Sequence, residues 1–125
     1  MMAEEIKLTV ANPMEIVLDT SASRVMLPSV NGYITILPQR APMILQLQNG
    51  LMQLLDEQGK PTARYFVRRG VANIAENKCT VSTEELIEFS KISLAEAEEA
   101  AENKKWPAQR EFYAAIAEIL RVMKE

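Results

Sequence analysis

Few residues in this chain could take part in covalent or acid–base chemistry. There is no histidine among its 125 residues, so neither a Ser-His nor a Cys-His nucleophile pair can be assembled, and a metal site would have to rest on carboxylates. The adjacent carboxylates Glu4-Glu5 and Glu84-Glu85 read as solvated surface, because working acid–base carboxylates sit in apolar clefts that shift their pKa values. Cys79 is the single cysteine; it cannot form an intrachain disulfide, and packing is its default role. The pair Arg68-Arg69 beside Gly70 offers either a local anion site or plain surface charge at a strand end. Neither the G-x-x-x-x-G-K-[ST] nor the G-x-G-x-x-G pattern occurs, so no glycine loop cradles phosphate. The residues predict no catalytic group, no cofactor and no metal.

The balance of charge narrows the partners. Seventeen acidic against 14 basic residues give a net charge of −3, which argues against nucleic acid, whose binding needs a basic face. With 48% hydrophobic residues the chain can build one main core. Its apolar runs fall far short of the roughly 20 residues that span a bilayer, and its first residues lack the basic-then-apolar order of a secretory signal. Neither direct membrane insertion nor secretion is expected.

Two periodicities divide the chain. Up to about residue 82, short alternating segments are closed by turn signals at close intervals, the pattern of an all-β sandwich or barrel. Ile6, Leu8 and Val10 alternate with Lys7 and Thr9; Asn12-Pro13 ends that strand, and further strands are predicted over 16–18, 24–27, 33–37, 51–55, 62–68, 71–75 and 79–81. Asn31-Gly32 predicts a tight hairpin turn with positive φ angles, and Asn77-Lys78 another turn. From Ser93 the period becomes helical. Ser93 and Glu96 have capping-box spacing, and Leu94, Ala97, Ala100 and Ala101 form a small-residue stripe on a helix reaching about Lys105. Trp106-Pro107 breaks it. A second helix, from Ala108 to about Lys124, places Phe112, Ala115, Ile116, Ile119 and Met123 on one face. Packed against the alanine stripe, that face should make a thin contact that undocks more easily than the sandwich unfolds. The expected fold is mainly β with an α tail: a sandwich of about ten short strands over residues 1–87, and a helical hairpin over 88–125.

The densest local pattern lies at residues 27–47, LPSVNGYITILPQRAPMILQL. Pro38 and Pro42 fix φ and lack an amide hydrogen, so the three residues between them form a rigid loop. This frame resembles the epsilon subunit of F-type ATP synthases, in which the segment commonly reads LPG-x-x-G-x-x-GVLPGHAP. The resemblance continues through residues 66–74, FVRRGVANI, where that family often has FVSGGFAEV. Departures stand at Thr35, Gln39, Arg40 and Arg69, three of them in place of glycine. Gln39 and Arg69 therefore imply either ordinary dihedrals or local strain.

The resemblance implies a non-catalytic part of a rotary motor, peripheral on the cytoplasmic side of the bacterial inner membrane. The sandwich would join the gamma subunit to the c-ring, with Asn31, Gly32 and Tyr33 pointing toward the c-ring and Arg40 and Pro42 lying near gamma. The helices would swing up to a catalytic beta subunit and restrain ATP hydrolysis, with Arg110, Arg121 and Lys124 as the contacting cations; plain helix solvation is the alternative role for those three. Some members bind ATP through a motif like I-D-x-x-R-A. Here Ser93 and Glu96 replace its acid and base, an exchange that sets an anion against phosphate, and ATP binding is not expected. Without the resemblance, the same residues would read as a free-standing β-sandwich adaptor or peptide-binding module.

Overall fold

The computed structural model describes residues 4–123. Ten strands follow in order: β1 (Ile6–Ala11), β2 (Ile16–Ala22), β3 (Arg24–Ser29), β4 (Gly32–Ile36), β5 (Met43–Leu47), β6 (Gly50–Leu55), β7 (Pro61–Val67), β8 (Gly70–Ala75), β9 (Lys78–Thr83) and β10 (Leu86–Glu88). Helices α1 (Leu94–Asn103) and α2 (Pro107–Met123) close the chain. Strand order is β10-β7-β6-β3-β5-β8-β9-β1-β2, with β4 paired to β3. Every pairing is antiparallel except β1 with β9. The strand β3 links the two layers: Arg24 to Met26 pair with β6, whereas Ser29 pairs with Leu47 of β5.

Alternation builds the inner core. Ile6, Leu8 and Val10 of β1 point inward, as do Cys79 and Val81 of β9, and they meet Val25, Leu27, Met52 and Leu54 from the opposite layer. The expected sandwich is present. Two strands were not foreseen: β5, which starts straight after the proline loop, and the three-residue β10. Glu88, placed with the helical tail in the sequence reading, is the last residue of β10.

The hairpin turns differ from expectation by one residue. The β3–β4 turn consists of Val30 and Asn31, neither with positive φ, and Gly32 alone takes φ +116. A β-branched valine strongly resists positive φ, so the left-handed demand moves to the glycine that follows. Ser29 locks the turn: its hydroxyl accepts from Asn31 N at 3.2 Å and donates to the Gly32 carbonyl at 2.5 Å. The turn between β8 and β9 is Glu76-Asn77 rather than Asn77-Lys78, with φ +52 and +61 closing the Ala75–Lys78 pair. Two successive left-handed residues make a type I′ turn.

Cys79 is fully buried, and burial pushes its thiol from 9.0 up to about 12. The folded state therefore holds a proton that the unfolded chain releases first. This contribution to stability is intact below pH 9.0 and is lost as pH rises toward about 12. In the folded protein Cys79 should resist thiol reagents and should label at the rate of global unfolding. Labelling as fast as that of a free thiol would contradict its burial.

Candidate functional site

The residues singled out in sequence fall into three places. The first is the β3–β4 tip, where Asn31 and Gly32 are exposed and Tyr33 is 52% exposed. Tyr33 leans over Gly50, and its hydroxyl oxygen lies 3.4 Å from the Leu51 amide that donates to it. A side chain at Gly50 would meet Pro28 at 2.8 Å, so the glycine permits this close layering of tip on strand.

The second place is the proline loop. Gln39 takes φ +64, which settles the choice left open by its replacing glycine: the backbone keeps the left-handed conformation. A polar network holds it there. The Gln39 amide donates to Asn77 Oδ1 at 2.5 Å, and Glu4 accepts from both Gln39 Nε2 and Asn77 Nδ2. Glu4 is thus a structural acceptor and not merely solvated. Arg40 and Pro42 are exposed, and Arg40 has no ion partner among the described residues.

The tip and the loop lie at opposite ends of β4, separated by its five residues or roughly 15 Å. The structure does not bring them together; it connects them through β5. Pro42 leads into β5, whose outward side chains Ile44 and Gln46 run toward the tip, and Val30 N donates to the Gln46 carbonyl at 2.9 Å. Ile44 is 73% exposed, and Val71, opposite Gln46 on β8, is 46% exposed. This apolar strip was missed in sequence because β5 was missed. Its signal was an isoleucine at an outward position in the alternation Met43, Ile44, Leu45, Gln46, Leu47.

The third place is the helical pair on the outer face of the sandwich. Ser93 accepts from Glu96 N at 3.1 Å while Glu96 accepts from Ser93 N at 2.9 Å, so the capping box forms as expected. These hydrogen bonds lower the Glu96 carboxyl pKa and keep an anion where an ATP-binding member would present a cation. On α2 the buried residues are Phe112, Ile116, Ala117 and Leu120, not the full set Phe112, Ala115, Ile116, Ile119 and Met123; Met123 is exposed. The contact is also thicker than an alanine seam. Leu51 of β6 and Phe66 of β7 join Ala97 and the buried α2 residues in a second apolar cluster, flanked by Ile87, Phe89, Ile92 and Leu94.

Charged contacts surround that cluster. Arg69 keeps a left-handed backbone, φ +48, and pairs with Glu111 of α2 at 2.8 Å. Arg68 is largely buried, its Nε 3.6 Å from Glu85, too long for a hydrogen bond. Tyr113 of α2 donates to Glu85 at 3.2 Å; burial, then the nearby carboxylate, raises its pKa. Neither Arg68-Arg69 nor Glu85 is the plain surface charge that their positions suggested. Arg110 donates to the carbonyls of Lys104 and Lys105, both at 2.9 Å, neutralising the carbonyl end of α1. Arg121 pairs with Glu98 of α1 at 2.9 Å. Lys124 lies outside the described residues.

A ten-stranded sandwich that carries a pair of helices on its outer face is a fold known from other proteins. Residues 5–89 match the family model described as ATP synthase, Delta/Epsilon chain, beta-sandwich domain. The chain belongs to this family, whose epsilon chains are non-catalytic subunits of ATP synthase. It is 32% identical over 98 residues to the ATP synthase epsilon chain of Rickettsia bellii, covering 78% of this chain and 91% of that one. With the epsilon chain of Granulibacter bethesdensis it shares 35% over 91 residues, 73% of this chain and 67% of the other. Among solved structures, a chain of the Euglena gracilis mitochondrial ATP synthase superposes with a TM-score of 0.67 at 20% identity, covering 96% of this chain and 79% of that one. A chain from the central stalk and c-ring of the Tetrahymena thermophila enzyme gives 0.58 at 13% identity, covering 99% and 97%. At these identities the structures establish the shared fold.

The packing ranks the contacts that hold α2. Phe112→Ala removes a fully buried ring and should destabilise docking by about 3–5 kcal/mol. Arg69→Ala breaks a pair more than half exposed on both sides and should cost at most about 1 kcal/mol. Limited proteolysis of α2 should accelerate strongly in the first variant and little in the second. The reverse order would mean that the ion pair, not the apolar cluster, holds the helix.

Proposed function

We propose that this chain works in the central stalk, joining the gamma subunit to the c-ring so that ring rotation reaches the catalytic head, from a peripheral position on the cytoplasmic face of a bacterial inner membrane. No helix among the described residues is long and apolar enough to cross a membrane. The observation that carries the proposal is the exposed strip from Arg40 and Pro42 through Ile44 and Val71 to Val30 and the Asn31-Gly32-Tyr33 tip. It runs along β5 with Val71 of β8 beside it, from a proline loop held by the Gln39–Asn77–Glu4 network to the tip, and a preformed surface loses little entropy on docking. The c-ring would meet the tip and gamma would meet the loop and β5.

Arg40→Glu, Ile44→Asp and Tyr33→Asp should each weaken co-purification with gamma and the c-ring while leaving the unfolding temperature nearly unchanged, because all three residues are exposed. Normal association of all three would remove the strip from the interface.

The sandwich, which closes with β10 at Glu88, and the helices that follow would act as separable units, α2 restraining ATP hydrolysis when it leaves the sandwich and α1 and reaches a catalytic beta subunit. In the docked state Arg110 and Arg121 are occupied by Lys104, Lys105 and Glu98. Separation of α2 from α1, as well as from the sandwich, would free Arg110 and Arg121 for an acidic partner, which Lys124 would join. The two sides of one ion pair should then act with opposite sign. Glu98→Ala loosens α2 from α1 and should deepen inhibition of hydrolysis; Arg121→Ala removes an inhibitory cation and should relieve it. Both effects should shrink with added salt, which screens exposed charges beyond about 8–10 Å. Equal effects of the two substitutions on hydrolysis would leave the helices without a brake function.

A further inference from the structure

The dipeptide Asn-Gly occurs twice, at Asn31-Gly32 and Asn49-Gly50. In sequence the two are equivalent. Such a pair can lose ammonia because glycine, lacking a side chain, lets its backbone nitrogen approach the preceding asparagine side chain. The structure separates them: we propose that Asn31 is a site of spontaneous deamidation in the folded protein, while Asn49 is protected.

In the reaction, the Gly32 amide nitrogen gives up its proton and bonds to Cγ of Asn31, the bond from Cγ to the side-chain nitrogen breaks, and ammonia leaves. Water then opens the cyclic imide at either carbonyl, leaving aspartate or isoaspartate. No oxidant or reductant is involved. The geometry required is room around the glycine and local opening of the two Ser29 hydroxyl bonds, from Asn31 N and to the Gly32 carbonyl, that hold the turn. Asn31 and Gly32 are both exposed, at the end of a hairpin, and a Cβ built on Gly32 would meet no atom within 4 Å. The Ser29–Gly32 pair is the last of its ladder, where local opening costs least.

Asn49-Gly50 offers the opposite surroundings. Gly50 is buried and begins β6, where it pairs with Val67. Its Cβ position would lie 2.8 Å from Pro28 and 3.3 Å from the Tyr33 hydroxyl, so this backbone is packed closely under the tip and has little room to leave the ladder. The Asn49 side-chain oxygen, Oδ1, is itself buried, with no hydrogen-bond partner among the described residues, away from the water needed for hydrolysis.

Conversion at Asn31 would add a carboxylate to the tip, and isoaspartate would add a methylene to a backbone whose register the turn fixes. If the tip meets the c-ring, ageing of the protein would alter that contact; this consequence alone rests on the proposed function. The test incubates the full-length folded protein in mildly alkaline buffer and maps peptides by mass spectrometry over time, with enzymatic methylation to count isoaspartate. Asn31 should convert roughly tenfold faster than Asn49 or more, and in guanidinium the two rates should approach each other. Equal rates in the folded protein, or an Asn31 that stays an amide while Asn49 converts, would overturn the proposal. Conversion at Asn31 that leaves association with the c-ring unchanged would count against the tip as a rotor contact and leave the chemistry standing.

Discussion

Leu51 and Phe66 are paired across β6 and β7, and both face away from the inner core. Their neighbours Met52 and Val67 face inward and are fully buried, so these two strands are apolar on both sides. A sheet surface of this kind cannot be left in water: each large side chain exposed forgoes on the order of 1.5–3 kcal/mol. The position of α2 follows from that requirement. Phe112, Ile116 and Leu120 recur every four residues and lay one stripe of the helix across the Leu51–Phe66 pair. Phe89, at 5.6 Å between ring centroids, stacks on Phe66 from the connecting segment.

The polar contacts decide orientation more than stability. Arg69–Glu111 and Arg121–Glu98 are exposed pairs, worth little apiece in water. Their placement is nevertheless informative: one ties α2 to the turn between β7 and β8, the other ties it to α1. Arg69 holds its pair from a left-handed backbone, immediately before Gly70, whose Cβ position would lie 2.0 Å from the Ser82 carbonyl oxygen. At that turn the glycine is obligatory and the arginine is tolerated, as is Gln39 inside its network with Asn77 and Glu4. At both of these departures from the glycine pattern the backbone thus takes the left-handed conformation that glycine would allow. A docked state held mainly by a replaceable apolar surface is the property a bistable element needs.

What could be read from sequence was whatever depended on local chemistry. The alternation of Ile6, Leu8 and Val10, the Ser93–Glu96 capping box and the break at Trp106-Pro107 all carry their cause within a few residues. The turn at Asn31 was misplaced by one residue because the requirement of the neighbouring Val30 outweighed the preference of Asn-Gly. The strand β5 was lost behind Pro42, and β10 is too short to have a period. For α2 the helix was legible and so was part of its buried face, Phe112 and Ile116 with Ile119 packed beside them, but not Ala117 and Leu120. Which side of an amphipathic helix is covered depends on where Leu51 and Phe66 stand, some 50 residues earlier in the chain, and spacing alone cannot report that. The exposed strip had the same fate: Ile44 reads as core until the register of β5 on β8 shows it facing out.

A limited apolar contact holds the helices, and on that ground they are proposed to open without unfolding the sandwich. Native-state hydrogen exchange of the intact protein, followed by residue across increasing denaturant, tests this most directly. The account predicts that amides of α2 between Phe112 and Leu120 exchange through an opening of lower free energy than those of β1, β8 and β9. Phe112→Ala should lower the first value and leave the second nearly unchanged. Identical opening free energies for α2 and the central strands, falling together in the variant, would contradict it and make the helices an inseparable part of one cooperative fold.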